Sequence, residues 1–170
     1  MELDNRLFRS VMGLFATGVT VITYVAEGKP AGMTANAFMS VSMEPPLVLV
    51  SVRKQSRFND IVHLGVRYGV NFLAEHQQAV SAHFGGKRDE TLNVPYTFSE
   101  ETPLIVGSLA HIVARTTAIH EAGDHLLYVA QIEGLQLGEQ RKPLVFFSGK
   151  YKQVEAHAPA AGWTVNNDCW

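Results

Sequence analysis

A chain of 170 residues is long enough to bury the core of one domain. Hydrophobic residues make up 46% of it and charged residues 18%, and the net charge of −2 is not that of a nucleic-acid-binding protein. No apolar run has the roughly 20 residues of a membrane span, no signal peptide is recognisable, and the single cysteine, Cys169, cannot form an internal disulfide, so we expect a cytoplasmic protein.

The first quarter of the chain combines one helix with extended segments. Apolar residues recur at helical spacing over residues 3–15, where Asp4 is a suitable N-cap. Beta-branched and aromatic residues predict a strand over residues 19–25, and residues 27–30 have the composition of a turn. Residues 32–42 are expected to return as a strand or as extended chain.

The next part begins with an apolar run over residues 47–52, which predicts a buried strand. Ser56 is expected to cap a helix that ends at Gly65. The three elements that follow are predicted to be a strand, a short helix and an irregular surface loop, over residues 67–73, 77–84 and 87–103.

Two long strand candidates, residues 109–120 and 126–137, dominate the second half of the chain. A glycine-containing turn joins them as a hairpin, and Gly134 is expected to mark a β-bulge. A last pair of strands is predicted over residues 144–147 and 150–154.

Six to eight strands without βαβ alternation predict a mainly β fold. At this length, the arrangement expected is a closed or partly closed antiparallel barrel with short flanking helices. We expect residues 1–156 to form this domain and residues 157–170 to form a C-terminal tail.

Motifs for self-sufficient catalysis are absent from the sequence. It contains no G-x-G-x-x-G, no P-loop, no H-E-x-x-H and no G-x-S-x-G, and its seven histidines do not have the spacing of common metal ligands. Cys169 lies in the predicted tail and is an unsuitable nucleophile. If the protein is an enzyme, we therefore expect an organic cofactor, and not a metal, to carry the chemistry.

Residues 51–57 have the composition of a phosphate site, with a strand ending and a helix beginning there. The cations and neutral donors are Lys54, Arg57, Ser51, Gln55 and Ser56. A helix N-terminus would add free N–H groups and a favourable dipole. An ordinary capped helix with a solvated basic start is the alternative explanation.

Residues 34–37, Thr-Ala-Asn-Ala, have side chains small enough for a planar ring to lie against the backbone. Backbone N–H groups and the polar side chains could bond heteroatoms at the edge of such a ring. A strand with small residues for close packing is the alternative. Together, a ring site and a phosphate site on neighbouring strands are what a flavin requires.

Four sequence blocks are similar, in the same order, to motifs of the short-chain flavin reductases. These proteins are the reductase components of two-component flavin monooxygenases, such as the 4-hydroxyphenylacetate 3-monooxygenases. The blocks are F-A-T-G-V-T-V-I-T at residues 15–23, G-M-T-A-N-A-F-M-S-V-S at residues 32–42 with P-P-L-V at residues 45–48, G-D-H at residues 123–125 and P-L-V-F-F-S-G-K-Y at residues 143–151.

The resemblance implies a Greek-key, FMN-binding split barrel that forms a homodimer. It also implies that FMN or FAD is bound and reduced by NADH or NADPH, and that reduced flavin passes to a separate flavin-dependent monooxygenase. By position, the flavin contacts fall on Met33, Thr34, Ala35, Asn36, Ser40, Ser51, Val52, Lys54, Gln55, Ser56, Arg57 and Phe84. The nicotinamide contacts fall on His125, Gly149, Lys150 and Tyr151.

Hydride transfer in such a site would depend on positioning, without an acid, base or nucleophile that can be named with certainty. Two alternatives stay open at this point. One is a split-barrel flavoprotein that holds FMN tightly and acts on a substrate of its own, and the other is a non-enzymatic flavin-binding module. The sequence does not decide between FMN and FAD, or between NADH and NADPH.

Overall fold

Strands make up most of the computed structural model, which describes residues 4–155. The strands are β1 (Thr17–Gly18), β2 (Thr20–Ala26), β3 (Lys29–Ala35), β4 (Phe38–Met43), β5 (Pro46–Arg53), β6 (Arg67–Phe72), β7 (Tyr96–Ser99), β8 (Thr102–Ile105), β9 (Ala110–Ala122), β10 (His125–Leu137), β11 (Val145–Phe147) and β12 (Lys150–Lys152). The helices are α1 (Asn5–Gly13), α2 (Phe58–Ile61) and α3 (Gln78–Phe84), and a 3₁₀ turn, Glu75–Gln77, precedes α3. No helix in this part of the chain is long and apolar enough to cross a membrane.

The largest sheet has seven strands, in the order β3-β2-β6-β9-β10-β5-β4, and neighbouring strands pair antiparallel. Its edge strands, β3 and β4, are joined only by Asn36 and Ala37. A flat sheet of this size would be roughly 29 Å wide, whereas two linking residues span only about 11 Å. The sheet therefore curls until its edges meet. This confirms the predicted antiparallel, Greek-key split barrel with short flanking helices.

The barrel interior is filled around one aromatic side chain, Phe58, which begins α2 and is fully buried. Its ring makes edge-on contacts with Tyr24, Tyr68 and Tyr128 at centroid distances of 5.3, 5.8 and 4.9 Å. Aliphatic residues of β5, β6 and β9 complete the same core. Burial of such a large ring is a strong driving force, so it holds the start of α2 inside the barrel.

A second apolar layer lies on the outer face of β2. Its buried members include Val21 and Leu144, against which Phe84 of α3 and Tyr151 of β12 pack. The small sheet β1-β11-β12 and helix α3 are thereby attached to the barrel wall. This layer brings the last strand of the described chain close to the first strands.

The stretch predicted as an irregular surface loop, residues 87–103, contains β7 and the beginning of β8. All four residues of β8 are buried. The hydroxyl of Thr23 on β2 donates to the carbonyl oxygen of Pro103, which fixes β8 against the barrel. The loop prediction was wrong because a polar, proline-containing stretch is stabilised here by partners distant in sequence.

The helix predicted to begin at Ser56 and to reach residue 64 is reduced to the single turn α2. Arg57 is its N-cap, and the Ser56 hydroxyl accepts a bond from the Phe58 N–H at 3.3 Å. At Val62 the backbone is extended again and the side chain is fully buried. Packing of apolar side chains in the barrel therefore overrides the helical pattern after one turn.

Other boundaries differ less. The Asp4 side chain accepts a bond from the Arg6 N–H at 2.8 Å, which confirms this N-cap, although α1 is shorter than predicted. The extended segment 32–42 is interrupted between β3 and β4, and the predicted turn is confined to two residues before β3. A register shift beside Gly134 confirms the bulge. The predicted tail, with Cys169, lies outside the described residues.

A buried amide, Asn71 on β6, joins four backbone segments. Its Nδ2 donates to the Val21 carbonyl oxygen at 2.8 Å and to the Thr23 hydroxyl at 3.0 Å. Its Oδ1 accepts from the Ile105 N–H at 2.7 Å and lies 3.2 Å from Nδ1 of His111. Burial lowers the pKa of His111, because an apolar environment disfavours the imidazolium ion.

This environment predicts a pH-dependent stability. The folded pKa of His111 lies below its ordinary value of 6.5, so the unfolded chain takes up the proton first as the pH falls. The free energy of unfolding should therefore decrease below pH 6.5, with a slope of at most about 1.4 kcal/mol per pH unit. Urea unfolding at pH values between 7.5 and 5.5 measures this dependence of the free energy of unfolding on pH.

The variant His111→Gln should flatten this part of the profile, and His63→Gln, at an exposed histidine, is the matched control. An unchanged profile in His111→Gln would contradict the assignment.

Candidate functional site

The candidate ring site lies at the end of β3 and in the link to β4, and residues 33–36 are called the ring segment below. Asn36 is exposed, whereas Ala35 is buried within the β2–β3 ladder. Helix α3 packs closely behind this strand, because a Cβ at Gly32 would lie 3.2 Å from the Phe84 ring. Phe84 thus supports the ring segment from the second apolar layer.

The candidate phosphate site is the turn between β5 and α2, called the 53–57 loop below. The Asn59 side chain holds the loop closed by donating to the carbonyl oxygens of Arg53, at 2.8 Å, and Lys54, at 2.9 Å. The Tyr128 hydroxyl donates in turn to Asn59 Oδ1 at 2.9 Å. A buried tyrosine of the barrel therefore orients the amide that shapes the loop.

Several donors of this loop remain available to a ligand. Within residues 4–155, the backbone N–H groups of Gln55 and Arg57 donate to no other residue. Both side chains are exposed beside them. Free N–H groups next to cationic and amide side chains form the kind of donor set that binds phosphate oxygens. The loop therefore fits a phosphate group, although its one-turn helix has a weaker dipole than the longer helix that was predicted.

A second cation of the loop, Lys54, is already in an ion pair. Its Nζ lies 3.0 Å from Glu121 Oε2, and the two side chains are 39% and 80% exposed. Exposed pairs of this kind contribute little, typically about 0–1 kcal/mol. An incoming phosphate can therefore replace the carboxylate at little cost.

The ring segment and the 53–57 loop are direct neighbours. The Ser56 hydroxyl lies 3.6 Å from Met33 Sδ. The Ser51 N–H donates to the Ala37 carbonyl oxygen at 3.0 Å, which ties the link between the edge strands to β5. Val52, also predicted to contact flavin, directs its side chain into the barrel core, so that only its backbone faces the loop. The two predicted subsites thus form one continuous surface.

Ser40 occupies a different position from the rest of the predicted flavin contacts. It is exposed on the edge strand β4, opposite Val48 of β5. The sheet order places β4 and β3 on the two sides of the split. Ser40 therefore lies on the sheet edge opposite to the ring segment.

His125, at the start of β10, is held beside the 53–57 loop. It is the register partner of Arg53, and the Lys54 N–H donates to the Asp124 carbonyl oxygen at 3.0 Å. Nδ1 of His125 lies 2.7 Å from Asp124 Oδ1, and this hydrogen bond lowers the pKa of the Asp124 carboxyl group. The carboxylate thereby orients the imidazole ring at the rim of the loop.

The predicted contacts 149–151 lie on another element, the hairpin of β11 and β12. Gly149 has a positive φ of 73° in its turn, and Lys150 is exposed. The Tyr151 ring packs edge-on against Phe146, with centroids 5.7 Å apart, and its hydroxyl lies 2.9 Å from Oγ of Ser81. The structure thus places His125 beside the loop and Tyr151 beside α3.

Sequence reasoning missed Asn59 and Ser81, which hold the two halves of the site in place. Neither belongs to a recognisable motif, since their roles come from backbone groups that the fold brings to them. A cavity of about 320 Å³ elsewhere, lined by Arg67 and Arg115, is a weaker candidate site, because both arginines already pair with Glu133. Among residues 4–155, no cluster of three potential ligands could hold a metal ion.

Comparison with known proteins identifies the family. The model of the flavin reductase like domain matches residues 12–155. The chain belongs to the flavin reductase-like family. The match begins in α1 and continues beyond β12, so it covers both subsites.

Named relatives share most of their length with this chain. It is 39% identical over 161 residues to an NADH-dependent flavin reductase of a Rhodococcus species, with 91% of each chain covered. It is 35% identical over 147 residues to the reductase component of 4-hydroxyphenylacetate 3-monooxygenase from Thermus thermophilus, with 86% of this chain and 95% of that protein covered.

Among solved structures, the flavin reductase PheA2 in its native state superposes with a TM-score of 0.86 at 40% identity, covering 91% of this chain and 100% of that one.

The 53–57 loop generates a prediction about flavin selectivity. The double variant Lys54→Ala/Ser56→Ala should weaken FMN binding by roughly 10- to 100-fold, because it removes a cation and a hydroxyl facing the phosphate. Riboflavin, which has no phosphate, should bind almost as it does to the unmodified protein. Flavin fluorescence quenching measures both dissociation constants.

The matched control is Lys29→Ala, at the far end of β3 and about 13 Å along the strand from Met33. An equal loss of affinity for both flavins would contradict the phosphate assignment.

Proposed function

We propose that this protein is an NADH-dependent flavin reductase that transfers a hydride to FMN or FAD and supplies the reduced flavin to a separate monooxygenase. The observation that carries the proposal is the contact between Met33 and Ser56, which joins a ring site to a loop with free phosphate-binding donors. Relatives named as NADH-dependent flavin reductases, and as reductase components of monooxygenases, support it.

The proposed reaction needs positioning more than acid–base chemistry. Bound flavin supplies the hydride acceptor. The ring segment leaves backbone open to the isoalloxazine, the 53–57 loop anchors the phosphate, and His125 and Tyr151 border the space proposed for the nicotinamide. Holding two reactants at about 3–3.5 Å makes the step effectively unimolecular, so no side chain of the chain has to remove a proton.

Exposure of the loop favours flavin that is exchanged over flavin that is held permanently. The side chains of Lys54, Gln55 and Arg57 are all exposed, and the cation of Lys54 is shared with Glu121. Binding of a ligand mainly through exposed charges is weakened by salt, and such a ligand leaves readily.

We propose a cytoplasmic location as well, which the single cysteine of the sequence favours.

The decisive experiment is steady-state oxidation of NADH and NADPH with riboflavin, FMN and FAD. We expect NADH oxidation that rises with added flavin, and turnover that is faster with NADH than with NADPH. A protein that stays yellow through dialysis and oxidises NADH slowly would favour a flavoprotein with a substrate of its own. Bound flavin that neither nucleotide can bleach would favour a non-enzymatic module.

A homodimer is the second part of the proposal, and α1 supplies the surface. No residue of α1 is buried, although one side of the helix is apolar. Its exposed side chains, together with those after it, are Leu7, Phe8, Val11, Met12, Leu14 and Phe15, each at least 51% exposed. Exposed apolar patches of this kind are unusual on monomers and mark interfaces. A second copy is the occupant we propose, because an isologous contact lets the two helices cover each other.

This surface predicts a change in assembly. The double variant Val11→Asp/Phe15→Asp should convert the protein from a dimer to a monomer in sedimentation velocity, because two desolvated carboxylates oppose the contact. The control is Val25→Asp, at an exposed apolar residue near the C-terminal end of β2. A monomeric unmodified protein, or a double variant that stays dimeric, would exclude α1 as the interface.

A further inference from the structure

One buried hydroxyl, that of Ser81 in α3, connects the two sides of the site described above. Ser81 is fully buried, yet both its backbone oxygen and its side chain bond to residues outside its own helix. Burial of a polar side chain is costly unless it is satisfied. The hydroxyl group is therefore held in one orientation by its partner.

The first connection runs to the ring segment. The Thr34 hydroxyl donates to the Ser81 carbonyl oxygen at 2.7 Å, and the Gly85 N–H donates to the same oxygen at 2.9 Å. The absence of a side chain at Gly85 allows this approach, since a Cβ there would lie 2.9 Å from that oxygen and 3.7 Å from Thr34 Cβ. The last turn of α3 is thereby fixed against β3.

The second connection runs to the last hairpin. Oγ of Ser81 and the hydroxyl oxygen of Tyr151 are 2.9 Å apart. Tyr151 is half-buried against Phe146, so its ring cannot turn freely. β12 is only three residues long and pairs with β11 alone among the described strands. The bond from Ser81 therefore adds to the packing of Tyr151 in the second apolar layer as a constraint on where β12 sits relative to the barrel.

We propose that Ser81 is a positioning residue that sets the nicotinamide side of the site, through Tyr151, at a fixed distance from the ring segment. The inference rests on the proposed function and adds a residue that no motif identifies. Because the bond to Thr34 uses the backbone of Ser81 and the bond to Tyr151 uses its side chain, a change of side chain uncouples only the nicotinamide side.

The test uses Ser81→Ala and Tyr151→Phe, which remove the same hydrogen bond from its two ends. Each should raise the KM for NADH about 3- to 10-fold and slow anaerobic flavin bleaching by a similar factor. The dissociation constant for FMN should stay within about two-fold of the unmodified value. The double variant should be no worse than either single variant, because the bond is already lost.

The matched control is Ser108→Ala, which removes another buried serine hydroxyl, one without a partner in the part of the chain that the structure describes. It should leave the KM for NADH and the rate of anaerobic flavin bleaching unchanged.

Three outcomes would overturn the inference. Ser81→Ala could lower the melting temperature without changing the KM for NADH, which would make the bond purely structural. It could weaken FMN binding as much as NADH use, which would assign Ser81 to the flavin side. The effects of the two single variants could also add in the double variant, which would show that they act separately.

Failure of the proposed function has a different signature. If the unmodified protein does not oxidise NADH with any flavin, the reductase assignment fails, and the inference fails with it. If the unmodified protein is active and Ser81→Ala and Tyr151→Phe behave like it, only the inference is lost. If Ser81→Ala does not fold, Ser81→Cys decides, since the thiol keeps the size of the side chain but is a much weaker hydrogen-bond partner for Tyr151.

Discussion

The burial of Phe58 inside the barrel is the interaction on which the site depends. The ring enters between three tyrosines and draws the beginning of α2 into the core, so the 53–57 loop just before it cannot move away from the barrel mouth. Tyr128 contributes twice, because its ring packs on Phe58 and its hydroxyl orients the Asn59 amide. Apolar packing and the shape of the candidate phosphate site are thus determined by the same side chains.

The split between β3 and β4 places the ring segment beside the 53–57 loop. The two-residue link between β3 and β4 forces the edges of the seven-stranded sheet together. The two edge strands do not pair with each other, so backbone groups near the link stay outside the strand ladders. The ring segment lies at this opening and meets the loop through Met33 and Ser56. A closed barrel would satisfy its backbone internally, so the opening is the feature that leaves groups available for a flat ligand.

The outer layer has a separate role, because it carries Tyr151, one of the side chains proposed to border the nicotinamide. Asn71 and Thr23 attach β8 to the barrel wall, and α3 packs over β3 beside it. Through Ser81, that helix touches both the ring segment and Tyr151. Catalysis by positioning requires that the two reactants be held at an accurate distance. A helix that is hydrogen-bonded to the ring segment and to Tyr151 holds these two groups at a constant separation.

The sequence by itself determined the strand-rich fold, and it marked the ring segment and the 53–57 loop as candidate subsites, because β-branched runs, small polar residues and clustered cations are local properties. It also carried the family resemblance, which the match of the family model over residues 12–155 confirms. It did not determine the length of α2, the strands within 87–103, or the roles of Asn59 and Ser81. Those depend on partners distant in sequence, such as Tyr128 for Asn59 and Tyr151 for Ser81. Only the tertiary structure decides them, because a hydrogen bond between distant segments exists only once packing has brought both of its ends together.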